Sequence, residues 1–308
     1  MHIKYFKTAF LGMVFLGAFS AVLTSCSSDD NESGSTEQPT DGRKLRQLTI
    51  TDVPITRAML TDNTTSLGAT WSAGDEATYF NLRSYTSTVM HFGTLISSKA
   101  ATESTFTGTV QCTKGDKIAL FYPATDPFTS GSDRGTFAIN LSGQKGTLED
   151  VANNYHYIYG VGEITSVTDN TANATIASMK SLLAVCKFTF KDNTNVGIPV
   201  KELTIGYGNE LYPLSGTVTP FDNASSVVAN PAAANTWTIP LTVTLENEKV
   251  DGVYVALFPC GNASREDFQD FHFTVTGSAG TYTGTATAKL NAGKFYPVTL
   301  NLTKQIKQ

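Results

Sequence analysis

The sequence predicts an all-β chain of two β-sandwiches in tandem, and three observations carry that reading. From Leu45 onward, short stretches with period-two alternation or β-branched and aromatic enrichment recur between clusters of Gly, Asn, Asp, Ser and Pro, the signature of strands joined by turns. No window long enough for a helix carries a capped apolar stripe of 3.6-residue period. The chain has 308 residues, 41% hydrophobic and 16% charged, which suffices for one large core or two moderate ones and excludes disorder and a coiled coil.

The front of the chain is of another kind. Met1 to Lys7 is short and positive, Ala9 to Leu23 is apolar, and Leu23-Thr24-Ser25-Cys26 comes next. This is a secretory signal over residues 1–25 rather than a fold element. Its apolar run falls short of the roughly 20 residues that a spanning helix needs. Leu-Thr-Ser-Cys resembles the bacterial lipobox, which implies cleavage between Ser25 and Cys26 and a Cys26 that carries diacylglycerol and palmitate. Several acyl chains on one residue hold a protein firmly, at about 0.8 kcal/mol per buried methylene. Residues 26–44 are polar and cannot bury enough surface to order themselves. They form a tether, and the acids just behind Cys26 resemble the surface-export signal of Bacteroidota lipoproteins.

The strand candidates come in two sets. The first comprises Leu48 to Val53, Ala77 to Leu82, Val89 to Ile96, Phe106 to Cys112, Lys117 to Tyr122, Phe137 to Leu141 and Tyr157 to Ile164. The second comprises Ala174 to Met179, Ala184 to Lys191, Glu202 to Gly206, Leu214 to Thr219, Trp237 to Val243, Val253 to Phe258, Phe271 to Thr276, Tyr282 to Lys289 and Phe295 to Leu302. So many short strands exceed what one sandwich holds. The polar, turn-rich stretch Thr165 to Asn173 is the natural boundary, giving sandwiches over 45–169 and 170–308.

Residue chemistry narrows the function classes. With 22 basic and 27 acidic residues and no basic cluster in the folded part, a nucleic-acid surface is not expected. His91, His156 and His272 lie far apart, and Cys112, Cys186 and Cys260 form no Cys-x-x-Cys unit, so neither a metal site nor a redox pair is expected. Each cysteine lies in or beside a strand, where a free cysteine behaves as a small core hydrophobe, with one disulfide among the three left open. Gly-x-Ser-x-Gly, the P-loop and the dinucleotide fingerprint are missing. The acidic pairs Asp75-Glu76 and Glu266-Asp267 sit in turn-like sequence and read as solvated. The chain is therefore read as a non-enzyme without cofactor.

Short motifs, in order and spread over the chain, are similar to the fimbrillin family of type V pili, in particular its Mfa-like branch. They are Trp71-Ser72-Ala73-Gly74-Asp75, Phe106-Thr107-Gly108, Leu120-Phe121-Tyr122-Pro123-Ala124, Ser181-Leu182-Leu183-Ala184-Val185, Val255-Ala256-Leu257-Phe258-Pro259 and Ala292-Gly293-Lys294-Phe295-Tyr296-Pro297-Val298. The resemblance implies transthyretin-like topology in both sandwiches and a role in a fimbria. It implies further that an arginine-specific protease removes the first strand of a lipidated precursor. The groove so exposed is filled by a strand of the next subunit.

On this chain the implied cut falls at Arg57, behind the stretch holding Leu48, Ile50 and Ile55. Arg43 and Arg46 are further exposed candidates, but cutting there would remove mainly the tether. At the other end Val298, Leu300 and Leu302 share one face, as a closing or donor strand requires. The tail from Thr303 is short for a stalk subunit, which leaves anchor, tip or accessory roles open. Expected partners are other pilus subunits or copies of itself, with the outer membrane through the lipid anchor. The alternative is a surface lipoprotein that never polymerises and binds glycan or host protein, for instance by stacking on Tyr155, Tyr157 and Tyr159. A sandwich hydrolase with two carboxylates across a cleft is a further reading.

Overall fold

The computed structural model describes residues 43–54, 59–82, 92–125, 137–207, 215–218, 227–229, 241–259 and 269–306. The first half contributes strands β1 (Lys44–Pro54), β2 (Met59–Asp62), β3 (Leu67–Thr70), β4 (Glu76–Asn81), β5 (Phe92–Ser97), β6 (Glu103–Cys112), β7 (Lys117–Tyr122) and β8 (Phe137–Asn140). A short helical stretch, Leu148–Asp150 continued by one π-turn Val151–Tyr155, leads to β9 (Ile158–Val167), β10 (Thr171–Ile176) and β11 (Lys180–Ser181). The all-β fold class holds.

The first sheet closes on itself. Its order is β1-β6-β5-β4-β7-β9-β10, and β10 also runs parallel to β1, from Gln47 opposite Thr171 to Ile50 opposite Ala174. Closure removes the unpaired edges that an open sheet would show. Inside lie Leu48, Ile50, Val53, Trp71, Phe106, Val110, Ile118, Leu120 and Tyr122. The polar stretch at 165–173, read from sequence as the domain boundary, holds the β9–β10 turn. Because β10 completes the ring and β11 extends the edge of β9, the first sheet continues to Ser181. Gly162 allows the β9–β10 approach: a Cβ there would lie 2.1 Å from the Thr175 carbonyl.

The second half contributes β12 (Ala184–Lys191), β13 (Val200–Tyr207), β14 (Ser215–Val218), β15 (Val227–Ala229), β16 (Leu241–Lys249), β17 (Val253–Leu257), β18 (Gln269–Gly277), β19 (Gly280–Ala288), β20 (Phe295–Asn301) and β21 (Thr303–Lys304). All but β14 and β15 form a sandwich of β17-β12-β20 against β16-β13-β18-β19-β21. Phe188, Phe190, Leu203, Ile205, Val253, Val255 and Phe273 fill its centre. Cys112 and Cys186 are buried, one in each core, as their strand positions implied, and Cys260 lies outside the described residues.

A third core joins the halves. β7 reads Ile118-Ala119-Leu120-Phe121-Tyr122 without polar alternation because both of its faces are covered. Ile118, Leu120 and Tyr122 point into the ring, while Ala119 and Phe121 point outward to Phe137, Tyr159, Val185, Ala256 and Phe258. β8 pairs with β14, so one small sheet is shared by both halves. The Gln144 side chain pairs with the Ala256 backbone, donating to its carbonyl at 2.9 Å and accepting from its N–H at 2.7 Å, which caps the outer edge of β17.

Substituting Gly162→Ala should push β10 off β9 and lower stability by about 1–3 kcal/mol, as overpacking in a close-packed core does. Thermal or denaturant unfolding of the full chain measures it.

Candidate functional site

The strongest candidate is the first strand and the slot that holds it. β1 alternates inward from Arg46 through Leu48 to Ile50, then a bulge inserts one residue and returns Val53 to the interior. Asp52 takes the strained left-handed turn this needs, at φ 52°. Leu48, Ile50 and Val53 are fully buried, each contributing about 1.5–3 kcal/mol of apolar burial. The neighbours make room for them: Leu48 stands between Gly108 on β6 and Ala172 on β10, and Ile50 stands opposite Ala174. Val53 was not among the sequence candidates for this face. Ile55, which was, lies outside the described residues.

Each end of β1 is locked. At the C-terminal end the Trp71 indole N–H donates to the Val53 carbonyl at 3.1 Å. Trp71 itself is wedged edge-on against Phe106 and Tyr122, with centroids 4.8 and 5.4 Å away. At the N-terminal end two arginines hold. Arg43 forks onto Asp116 with contacts of 2.8 and 2.9 Å. Arg46 is only 6% exposed; it donates to the Thr168 carbonyl at 2.6 Å and to the carbonyls of Cys112 and Lys44. The expectation that Arg43 and Arg46 are exposed cleavage candidates is thus overturned, because both guanidinium groups are engaged by the ring.

Asp116 also accepts from the Asn81 amide at 2.7 Å and from the Thr113 N–H at 3.0 Å. Burial alone would raise its pKa, but the Arg43, Asn81 and Thr113 hydrogen bonds together hold it below the usual carboxylate value. Burial pushes the neighbouring Cys112 thiol up, so it is not poised as a nucleophile. Burial also raises the Tyr79 hydroxyl, to about 12, and it donates to the Thr109 carbonyl on β6 at 2.9 Å.

The signal for Asp116 was present in the sequence. Thr113-Lys114-Gly115-Asp116 repeats the turn of Ser72-Ala73-Gly74-Asp75. In each a glycine at φ 87° or 89° precedes an aspartate whose carboxylate accepts the N–H three residues back. Asp75 is occupied in this way by the Ser72 N–H. Among the described residues no group of three His, Cys, Asp or Glu side chains is placed to hold a metal ion.

Downstream of β1 the chain is pinned separately. Asp62 on β2 receives Lys187 at 2.7 Å and the Tyr254 hydroxyl at 2.6 Å, both from the second half. Residues 55–58, with Arg57, therefore connect two independently fastened segments. Arg57, Ser25 and Cys26 lie outside the described residues. Tyr157 and Tyr159 are buried in the core between the halves, so the ring-stacking surface expected there does not exist. Tyr155 is half-buried and donates to the Ser142 carbonyl at 2.8 Å. At the far end Tyr296, Val298 and Leu300 of β20 pack half-exposed on the second core, and β20 is the end strand of its sheet.

No family model and no curated protein matches the chain. Solved structures do. A candidate cell adhesion protein of Bacteroides uniformis superposes with a TM-score of 0.55 at 15% identity, over 87% of this chain and 95% of that one. Another, of Bacteroides ovatus, gives 0.52 at 12% identity, over 84% and 93%. At such identities the likeness is one of fold, and it extends over nearly the whole of each chain.

The Asp116 lock has a calculable pH dependence. A carboxylate held below its unfolded value near 4 stabilises the fold fully above that pH and stops doing so as the pH falls through its depressed value. Acidification below about pH 4 should therefore raise amide exchange over residues 44–48. Asp116→Asn should show the raised exchange at neutral pH, cost about 3 kcal/mol for the broken buried pair, and lose this part of the acid response.

Proposed function

We propose that this protein is a structural or adhesive subunit of a cell-surface pilus, joined to its neighbours by strand addition. The observation that carries this reading is the position of β1. It is the first strand among the described residues, yet it lies between two neighbours, hydrogen-bonded to β6 on one side and β10 on the other. Its described contacts to the rest of the fold are non-covalent, so one cut in residues 55–58 leaves it as a separate peptide. Loss of an internal strand exposes two rows of backbone groups and a row of apolar pockets, which an incoming strand with alternating side chains satisfies together.

Arginine-specific scission at Arg57 is the processing step in this proposal, and the anchors on β2 explain why the cut need not unravel the strands behind it. Cys26, lipidated after cleavage behind Ser25, carries the precursor to the outer membrane, where the subunit stays anchored or is released into the fimbria. The partners are other pilus subunits or copies of this chain. Their strand takes the place of β1. The fold shared with the Bacteroides cell adhesion candidates supports the surface assignment.

The test is limited digestion of the acylated full chain with an arginine-specific protease. The expected product starts at Ala58, loses β1 when a partner strand is supplied, and forms an oligomer ladder with subunits that provide one. Arg57→Gln should abolish the ladder while leaving the fold intact. A product that starts at Ala58, keeps β1 and stays monomeric with every partner would sink the proposal.

A further inference from the structure

The vacated slot is not purely apolar. When β1 leaves, Asp116 stays behind, 1% exposed in the intact fold, still bonded to Asn81 and the Thr113 N–H but without the guanidinium of Arg43. The carbonyls of Cys112 and Thr168 stay behind as well, aimed at the place of the Arg46 guanidinium. A strand that fills the pockets with aliphatic side chains alone would bury a carboxylate without a countercharge and two carbonyls without these donors. That is a costly arrangement in a low-dielectric interior.

Resting on the strand-addition reading, we propose that the slot selects its incoming strand by charge as well as shape. The strand it takes carries an arginine in the register of Arg46 and a second in that of Arg43, ahead of aliphatic residues in the registers of Leu48, Ile50 and Val53. Arginine rather than lysine is required at both places. Asp116 receives a two-pronged fork, and Arg46 spreads its donors over separate carbonyls, which a single ammonium cannot reproduce. The outer pair, Lys44 with Asp169 at 3.2 Å, lies in solvent and adds little to the choice.

The requirement discriminates against the chain's own C-terminal strand. The last arginine of the sequence is Arg265, so β20 carries none. Setting Lys294 in the register of Arg46 puts Tyr296 where Leu48 fits between Gly108 and Ala172, and puts Pro297, without an N–H, where Thr49 sits between two strands. The occupant is therefore an arginine-bearing strand supplied by another subunit, and not β20 of a second copy.

Peptide exchange into the full chain cut at Arg57 tests this. A fluorescent peptide of residues 43–54 serves as probe, beside the same peptide with Arg43→Met and Arg46→Met and a peptide of residues 292–306. The parent peptide should exchange in, and the doubly substituted one should bind at least about 30-fold more weakly, the scale for removing one partner of a buried charge pair. The 292–306 peptide should be weaker than the parent. Asp116→Asn in the cut protein should shrink the penalty of Arg43→Met alone, which couples the two residues without relying on stability. Binding of the methionine peptide within threefold of the parent would overturn selection by charge while leaving strand addition intact. Equal binding of the 292–306 peptide would overturn the choice of partner. Exchange of no peptide at all, with β1 still seated, would overturn the strand-addition reading itself and this inference with it.

Discussion

The arrangement depends on one constraint: a sheet that closes on itself has no spare edge, and this one closes through the first of the described strands. β10 reaches β1 in parallel and β9 in antiparallel fashion, so β1 is the seam of the ring. A seam made by a terminal segment differs from one made mid-chain. It can be withdrawn without threading the remaining chain, and the strands beside it keep their other partners. The three buried aliphatic side chains of β1 and its two hydrogen-bonded rows make spontaneous withdrawal unfavourable, which favours displacement by another strand over simple loss.

Polar groups give the seam its register. An aliphatic peg can slide by two residues and find another pocket, since strand side chains repeat with that period. A guanidinium forked onto a buried carboxylate cannot, and neither can an indole bonded to one particular carbonyl. Arg43 and Trp71 therefore fix β1 at opposite ends, with the bulge at Asp52 taking up the difference in length between the two strands.

Much of this was legible in the sequence. Strands such as Lys117 to Tyr122 and Ala184 to Lys191 were read with their observed ends because their apolar runs stop at charged residues or turns. Short strands such as Met59–Asp62 and Lys180–Ser181 were not, since they are too brief to show a period and exist only through what they pair with. The boundary near 170 rests on composition alone, and a polar turn inside a sheet and a linker between sheets have the same composition. At the candidate site the apolar face of β1 was visible in part, but the roles of Arg43 and Arg46 were not. Charge near a polar tether reads as solvated unless its distant partner, here Asp116 some seventy residues on, can be recognised as waiting for it.

The two rows of bonds along β1 also decide how such a joint bears tension. A strand inserted between β6 and β10 and pulled along its own length cannot peel away one contact at a time; both ladders slide against the load together. Under the strand-addition proposal, a load directed along the inserted strand would place the junction in shear, where both ladders resist together.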